Sequence, residues 1–364
     1  MKKKFSFLLT TVLAAGTILA ACGSGDDEAN EGQGADGGAE GGGFSAKMVT
    51  DEGGVDDKSF NQSAWEGLQA FEGDFDDIEI EYLQSNSASD YAPNLNRLAR
   101  DGSDITFAIG FLMEDDIREI ANQHQDNNFA IVDTVVTDGD DNLIDNIANI
   151  TFAEHQGSFL VGVVAGLQTE TDQVGFIGGV ESALISKFET GFKAGVLAVN
   201  PDAQISVQYA QSFNDASLGQ GIADSMYGSG IDIIYHAAGG VGNGVFTEAT
   251  DRARNGENVW VIGVDRDQHE EGEYDGGNVT LTSMVKRVDE AVYQVSEQTM
   301  NGDYPGGQIL EFGLEDNGVG IAETQDNVSD EALQAVEEYK QMILDGEIDV
   351  PQNDEEFEEY QSNL

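Results

Sequence analysis

"VTDEGGVDDKSFNQSAWEGLQAF", Val49 to Phe71, joins the end of an apolar strand to a loop of glycine and acid and then to a helix. Asp51, two glycines, Lys58, Phe60 and Asn61 share that loop, and the spacing predicts a helix over Ser63 to Phe71. Strand, glycine-containing loop and helix make the repeating unit of parallel α/β sheets. How often the unit recurs decides the fold.

It recurs throughout. In the first half, strands are expected at "SAKMVTD", "IEIEYLQ", "DITFAIG", "FAIVDT" and "NIANITF", with further helices at Ala92 to Asp101 and Glu114 to Gln125. The second half repeats the rhythm with "QVGFIGG", "QISVQYA", "DIIYHAA", "VWVIGVD" and "NVTLTSM", and with helices at Phe188 to Val199, Gly219 to Gly228 and Gly244 to Asn255. Details repeat as well. Each first strand leads through a glycine-containing loop to a phenylalanine, Phe60 or Phe188, and a helix carrying Gly67 or Gly195; each fourth strand ends on aspartate, Asp133 or Asp265. Open α/β sheets take ligands beyond the carboxyl ends of their strands. Two facing lobes therefore put Asp51, Phe60, Asn61 and Asp133 on one wall of a cleft, and Phe188, the loop Gly239 to Gly244 and Asp265 on the other.

The amino-terminal flank is of another kind. "MKKKFSFLLTTVLAAGTILAAC" has three lysines, an apolar run short for a bilayer span, and small residues before Cys22, which is the pattern of an export leader over residues 1–21. Cys22 is the single cysteine, so a disulfide framework is excluded. "LAAC" resembles a bacterial lipobox, in which cleavage leaves Cys22 carrying lipid; the plain alternative is a secreted protein with a leftover thiol. Residues 22–43 hold no large apolar side chain and read as an acidic, glycine-rich tether. Residues 44–364 remain to fold. Over the whole chain 69 acids stand against 16 basic residues, a net charge of -53. So few Lys and Arg argue against nucleic-acid binding, which needs them to neutralise phosphates. The acids are spread along the chain, as a halophilic surface requires and a metal site does not.

"DEGGVDDKSFNQSAWEGL", "FAIGF", "FAIVDT", "QGSFLVGVVAG", "GFIGG", "FETGFKAGV", "AAGGVGNGV", "VIGVDRDQ" and "TSMVKRVDEAV" resemble, in order, the basic membrane protein family of lipoproteins, which includes purine nucleoside receptors. The resemblance spans Ala46 to Ile348. It implies a type I periplasmic-binding-protein fold with two Rossmann-like lobes, the first from about 44–152 plus about 279–304, the second from about 153–278 plus about 305–350. It also implies a function: a solute-binding protein, lipid-anchored through Cys22 on the outer face of the cytoplasmic membrane, that delivers a nucleoside, purines foremost, to the permease and ATPase of an ABC transporter. Neither a cofactor nor catalysis is implied.

Under that reading Phe60 and Phe188 stack on a base from opposite lobes. Asp51, Asp133 and Asp265 accept from ribose hydroxyls or a base edge, since a carboxylate offers about four lone-pair sites. Asn61 suits a base edge, Gly240 and Gly242 let backbone amides approach the ligand, and Lys286, one of six lysines beyond the leader, contacts the sugar together with Asp265 from the other lobe. Each residue also has a plain structural reading: a core phenylalanine, a helix-capping Asp or Asn, a salt-bridged lysine, a tight turn.

Reactive alternatives fare less well. "GGVGNG" lacks the Gly-Lys-Ser/Thr ending of a phosphate loop. An EF-hand counted from Asp138 would place Leu143 and Asn149 where Gly and Glu are required. The four histidines form no paired metal-binding spacing. The rival readings are a nucleoside-cleaving hydrolase and a non-transport receptor for another small ligand.

Overall fold

The computed structural model describes residues 43–364; the expected leader, Cys22 and the tether up to residue 42 lie outside the described residues. In chain order the elements are β1 (Phe44–Val49), α1 (Phe60–Asp74), β2 (Ile78–Leu83), α2 (Tyr91–Arg100), β3 (Ile105–Ile109), α3 (Glu114–Gln123), β4 (Phe129–Val132) and β5 (Ile147–Phe152). Then come α4 (Glu154–Gln168), β6 (Gln173–Gly178), α5 (Ala183–Val199), β7 (Gln204–Tyr209), α6 (Ala216–Gly228), β8 (Ile233–Ala237), α7 (Gly242–Arg254) and β9 (Trp260–Asp265). A small hairpin, β10 (Glu273–Tyr274) and β11 (Gly277–Asn278), precedes β12 (Thr280–Lys286), α8 (Val288–Met300), β13 (Ile309–Phe312), β14 (Val319–Ile321), α9 (Asp330–Leu344) and α10 (Asp354–Ser362).

Two six-stranded sheets form, ordered β13-β5-β4-β3-β1-β2 and β14-β12-β9-β8-β6-β7. The first is parallel throughout; in the second only the β12–β14 pair is antiparallel. Strands β3, β4 and β8 are buried at every position, as strands covered on both faces must be. Of the edge strands, β7 alternates in exposure and β2 is partly exposed along its length. The expected α/β fold of two lobes is what the chain adopts.

Two expectations are corrected. Segment 279–304 does not belong whole to the first lobe, nor 305–350 to the second. β12 pairs with β9, Val285 beside Asp265, in the second sheet, while α8 packs on α1 in the first lobe. β13 then pairs with β5 in the first sheet, and β14 returns to the second. A strand's alternation says that it pairs but not with which sheet; the second and third crossings each fall one strand later than expected. The chain thus crosses between lobes three times, after β5, β12 and β13.

Helix α5 also begins earlier than expected. Ser182 caps it by accepting from Ile185 N at 3.2 Å, so Phe188 lies inside the helix, not ahead of it. Gly67 and Gly195 serve close packing. A side-chain carbon at Gly67 would collide with the carbonyl of Asp289 on α8, and one at Gly195 with that of Phe159 on α4.

Candidate ligand-binding cleft

The β1–α1 loop forms the first wall. Asp57 accepts from the backbone N of Ser59 (2.9 Å), Asn61 (2.9 Å) and Gln62 (3.1 Å), satisfying donors at the start of α1. Asn61 braces the loop: its Nδ2 donates to Asp51 Oδ1 at 2.7 Å and Asp57 Oδ2 at 3.0 Å, and its Oδ1 accepts from Asp51 N at 3.2 Å. The helix cap considered for Asp51 and Asn61 is therefore supplied by Asp57. Burial pushes the Asp51 carboxyl up to about 7 against the bonds from Asn61 and Gly53, and it raises Asp57 as well.

The strand ends form the floor. Asp133, just past β4, and Asp265, the last residue of β9, both adopt left-handed backbone, with φ of 73° and 67°. Lys286, the last residue of β12, is 2% exposed; its Nζ donates to Asp133 Oδ2 at 2.7 Å and lies 3.7 Å from Asp265 Oδ1. Burial alone would lower the Lys286 pKa, but the two carboxylates outweigh it and hold the ammonium above its usual value. Burial raises Asp265 to about 6, opposed by Lys286 and by a hydrogen bond donated by Ser59 Oγ. Asp133 Oδ1 is buried and has no hydrogen-bond partner among the described residues. Asp265 and Lys286 come from neighbouring strands of the same sheet, not from different lobes as expected; Asp133 is the one facing them from the other lobe.

Aromatic rings surround that ammonium. Lys286 Nζ lies 4.6 Å from the Phe60 ring centre, 5.5 Å from Phe188 and 5.4 Å from Phe152, the range of cation–π contacts. Phe60 and Phe188 belong to the hydrophobic core and also line the cleft. Phe111 and Phe213 meet edge to face across the cleft, with ring centres 6.2 Å apart. The free space enclosed in the cleft is about 50 Å³, below the ~300–1,000 Å³ usual for small-molecule sites.

Of the expected residues, Asp51, Phe60, Asn61, Asp133, Phe188, Asp265 and Lys286 line this cleft. Gly240 and Gly242 do not. The backbone that reaches the cleft is Ala237, Ala238 and Gly239, the last with φ 54°. Gly242 faces the buried His236 ring, with which any side chain there would collide. Sequence reasoning missed Asp57, Phe111 and Phe213. Asp57 carried a signal, an aspartate just ahead of a helix start; Phe111 opens a short 3-10 turn ahead of α3 and Phe213 sits in the β7–α6 loop. Lys187 donates to the buried Glu154 Oε2 at 3.1 Å.

A cleft between the two lobes, floored by paired charges and walled by rings, presents charged acceptors and a donor beside flat apolar faces. Residues 44–354 match the family described as "ABC transporter substrate-binding protein PnrA-like". The chain belongs to that family. Its members are substrate-binding components of transporters, not enzymes. The chain is similar to the CD4+ T-cell-stimulating antigen of Listeria innocua, 51% identical over 96% of this chain and 99% of that protein. It is also similar to the ABC transporter nucleoside-binding protein BmpA of Lactococcus lactis subsp. cremoris, 40% identical over the same shares. Among solved structures, an ABC transporter solute-binding protein from Aeropyrum pernix shares the fold, with TM-score 0.77 and 23% identity over 87% of this chain and 96% of that one. Among the described residues of this family member, no helix is long and apolar enough to cross a membrane.

Proposed function

We propose that this substrate-binding protein captures a nucleoside, purines foremost, and hands it to the permease and ATPase of an ABC transporter. The observation that carries the reading is the convergence in one cleft of two aromatic faces, Phe60 and Phe188, with the row Asp133–Lys286–Asp265. A nucleoside joins a flat base to a polyhydroxyl sugar. The base stacks on the rings; the sugar hydroxyls donate to Asp133 and Asp265 and accept from Lys286. The unpartnered Oδ1 of Asp133 supports this, because a buried acceptor calls for a donor. Asp51 and Asn61 meet the base edge. The name of the Lactococcus lactis relative points the same way. Contacts to both lobes favour the closed arrangement, so the ligand selects it.

The anchor belongs to the same proposal: removal of residues 1–21 leaves lipid on Cys22, and residues 22–43 tether the binding domain to the outer face of the cytoplasmic membrane. Mass spectrometry of small molecules released from denatured native protein tests the ligand class, and calorimetry with guanosine, inosine, adenosine and their free bases tests the site. Ligand that is not a nucleoside, or equal affinity for bases and nucleosides, would sink the reading. Catalytic release of hypoxanthine from inosine would replace it with a hydrolase.

A further inference from the structure

Outside the cleft, the loop that opens the first wall is gripped a second time. Three side-chain amides of the second lobe donate to three backbone carbonyls of this one loop. Asn214 Nδ2 reaches Glu52 O at 3.3 Å, Asn243 Nδ2 reaches Asp57 O at 3.1 Å, and Gln268 Nε2 reaches Lys58 O at 2.8 Å. The donors come from separate places: the β7–α6 loop, the first turn of α7, and the loop after β9. None of the three lines the cleft.

The grip is built rather than incidental. Gln268 is 1% exposed, and its Oε1 accepts from Val264 N at 2.8 Å, which fixes the amide with its NH₂ toward Lys58. Lys58 itself takes left-handed backbone, φ 64°, a conformation that a non-glycine residue holds only where its surroundings impose it. Beside it, Arg266 forks onto Glu66 of α1 at 2.9 and 2.8 Å.

We propose that Asn214, Asn243 and Gln268 form an uncharged clasp that stabilises closure through protein groups alone. They are positioning residues for ligand capture, acting by fixing against the second lobe the loop that leads into Phe60 and Asn61 at the start of α1. Uncharged donors suit a chain of net charge -53. The Arg266–Glu66 fork weakens as the Debye length shrinks to ~3 Å in molar salt, whereas an amide–carbonyl bond carries no net charge to screen. A clasp that raises the closed fraction before ligand arrives raises apparent affinity by the same factor.

The proposal rests on the cleft being the ligand site, and its test separates the two. Gly73 on α1 and Gly221 on α6 have open space where a side chain would project. In a Cys22→Ser background, cysteines at these two positions carry spin or dye labels that report the distance between lobes without any nucleoside. The double variant Asn214→Ala/Asn243→Ala spares the buried Gln268 and should fold. Its closed-to-open ratio without ligand should fall roughly five- to a hundredfold, the sum of two neutral hydrogen bonds, and by the same factor at low and at molar salt. Guanosine affinity should fall in parallel, while the melting temperature stays near that of the native chain. Arg266→Ala should show an effect that shrinks with salt. A ligand-free distance distribution of the double variant equal to that of the native chain, or a native chain found wholly open, overturns the clasp. A normal distance response with no guanosine binding leaves the clasp intact and overturns the nucleoside reading instead.

Discussion

Phe60 packs in the core and faces the cleft, so truncating it to alanine mixes two losses. A core Phe→Ala change costs ~3–5 kcal/mol of stability, and a lost base-stacking face costs ~1–3 kcal/mol of affinity. Phe60→Leu separates them by keeping much of the apolar volume and removing the flat face. Calorimetry should show nucleoside affinity reduced about five- to a hundredfold with melting little changed; native affinity with lowered melting would make Phe60 a core residue only. Asp265 gives a pH test. Its carboxyl, raised to about 6, must be ionised to accept two sugar donors, so the proton competes with the ligand. The sign is that the Asp265 component of affinity is full above this value and falls as pH drops through it, well above the range where an ordinary aspartate would protonate. Asp265→Asn should remove that component and leave the one near 7 that belongs to Asp51; an unchanged profile would take Asp265 out of the sugar site. Asp133 and Asp265 were legible in the sequence because each closes the fourth strand of a repeated half. Their left-handed backbone and their shared partner were not, since Lys286 meets them only because β12 lies beside β9.

Helix α1 contains two glycines in opposite surroundings. Gly67 faces the carbonyl of Asp289 with no room for a methyl group, whereas Gly73 faces open space. Gly67→Ala should therefore cost ~1–3 kcal/mol through overpacking between α1 and α8. Gly73→Ala should stabilise by ~0.4–1 kcal/mol, because it restricts the unfolded chain without a clash. Denaturant titration of the two variants compares them directly, and equal effects would mean that α1 and α8 do not pack as described. The repeated glycine was visible beforehand; its reason, a neighbouring backbone, was not. Helix α4 went unread for a related cause. It is buried nearly all round, so the apolar run "GSFLVGVVAG" shows no face from which a helical period could be taken.

At the scale of the molecule, charge sets the first expectation. With 69 acids against 16 basic residues, self-repulsion opposes the compact state and screening relieves it. The melting temperature should rise from low to molar salt; a flat or falling curve would remove the halophilic reading. A fragment of residues 44–364 should bind nucleoside as the whole chain does, and loss of binding would make the tether part of the fold. Two lobes were legible because strand and helix alternate with the same landmarks in each half. The shares each lobe takes from the late chain were not, because short strands such as Ile309–Phe312 and Val319–Ile321 fit either sheet by pattern alone. The three crossings govern how the protein is made. Synthesis delivers β1 to β5 early, yet the edge of β5 stays uncovered until Ile309–Phe312 arrives more than 150 residues later. Until then the first lobe presents a row of unpaired amides and carbonyls, a template for wrong partners. Neither lobe is a folding unit that can finish alone, so a chain interrupted before Ile309 is an aggregation-prone intermediate and not a smaller receptor.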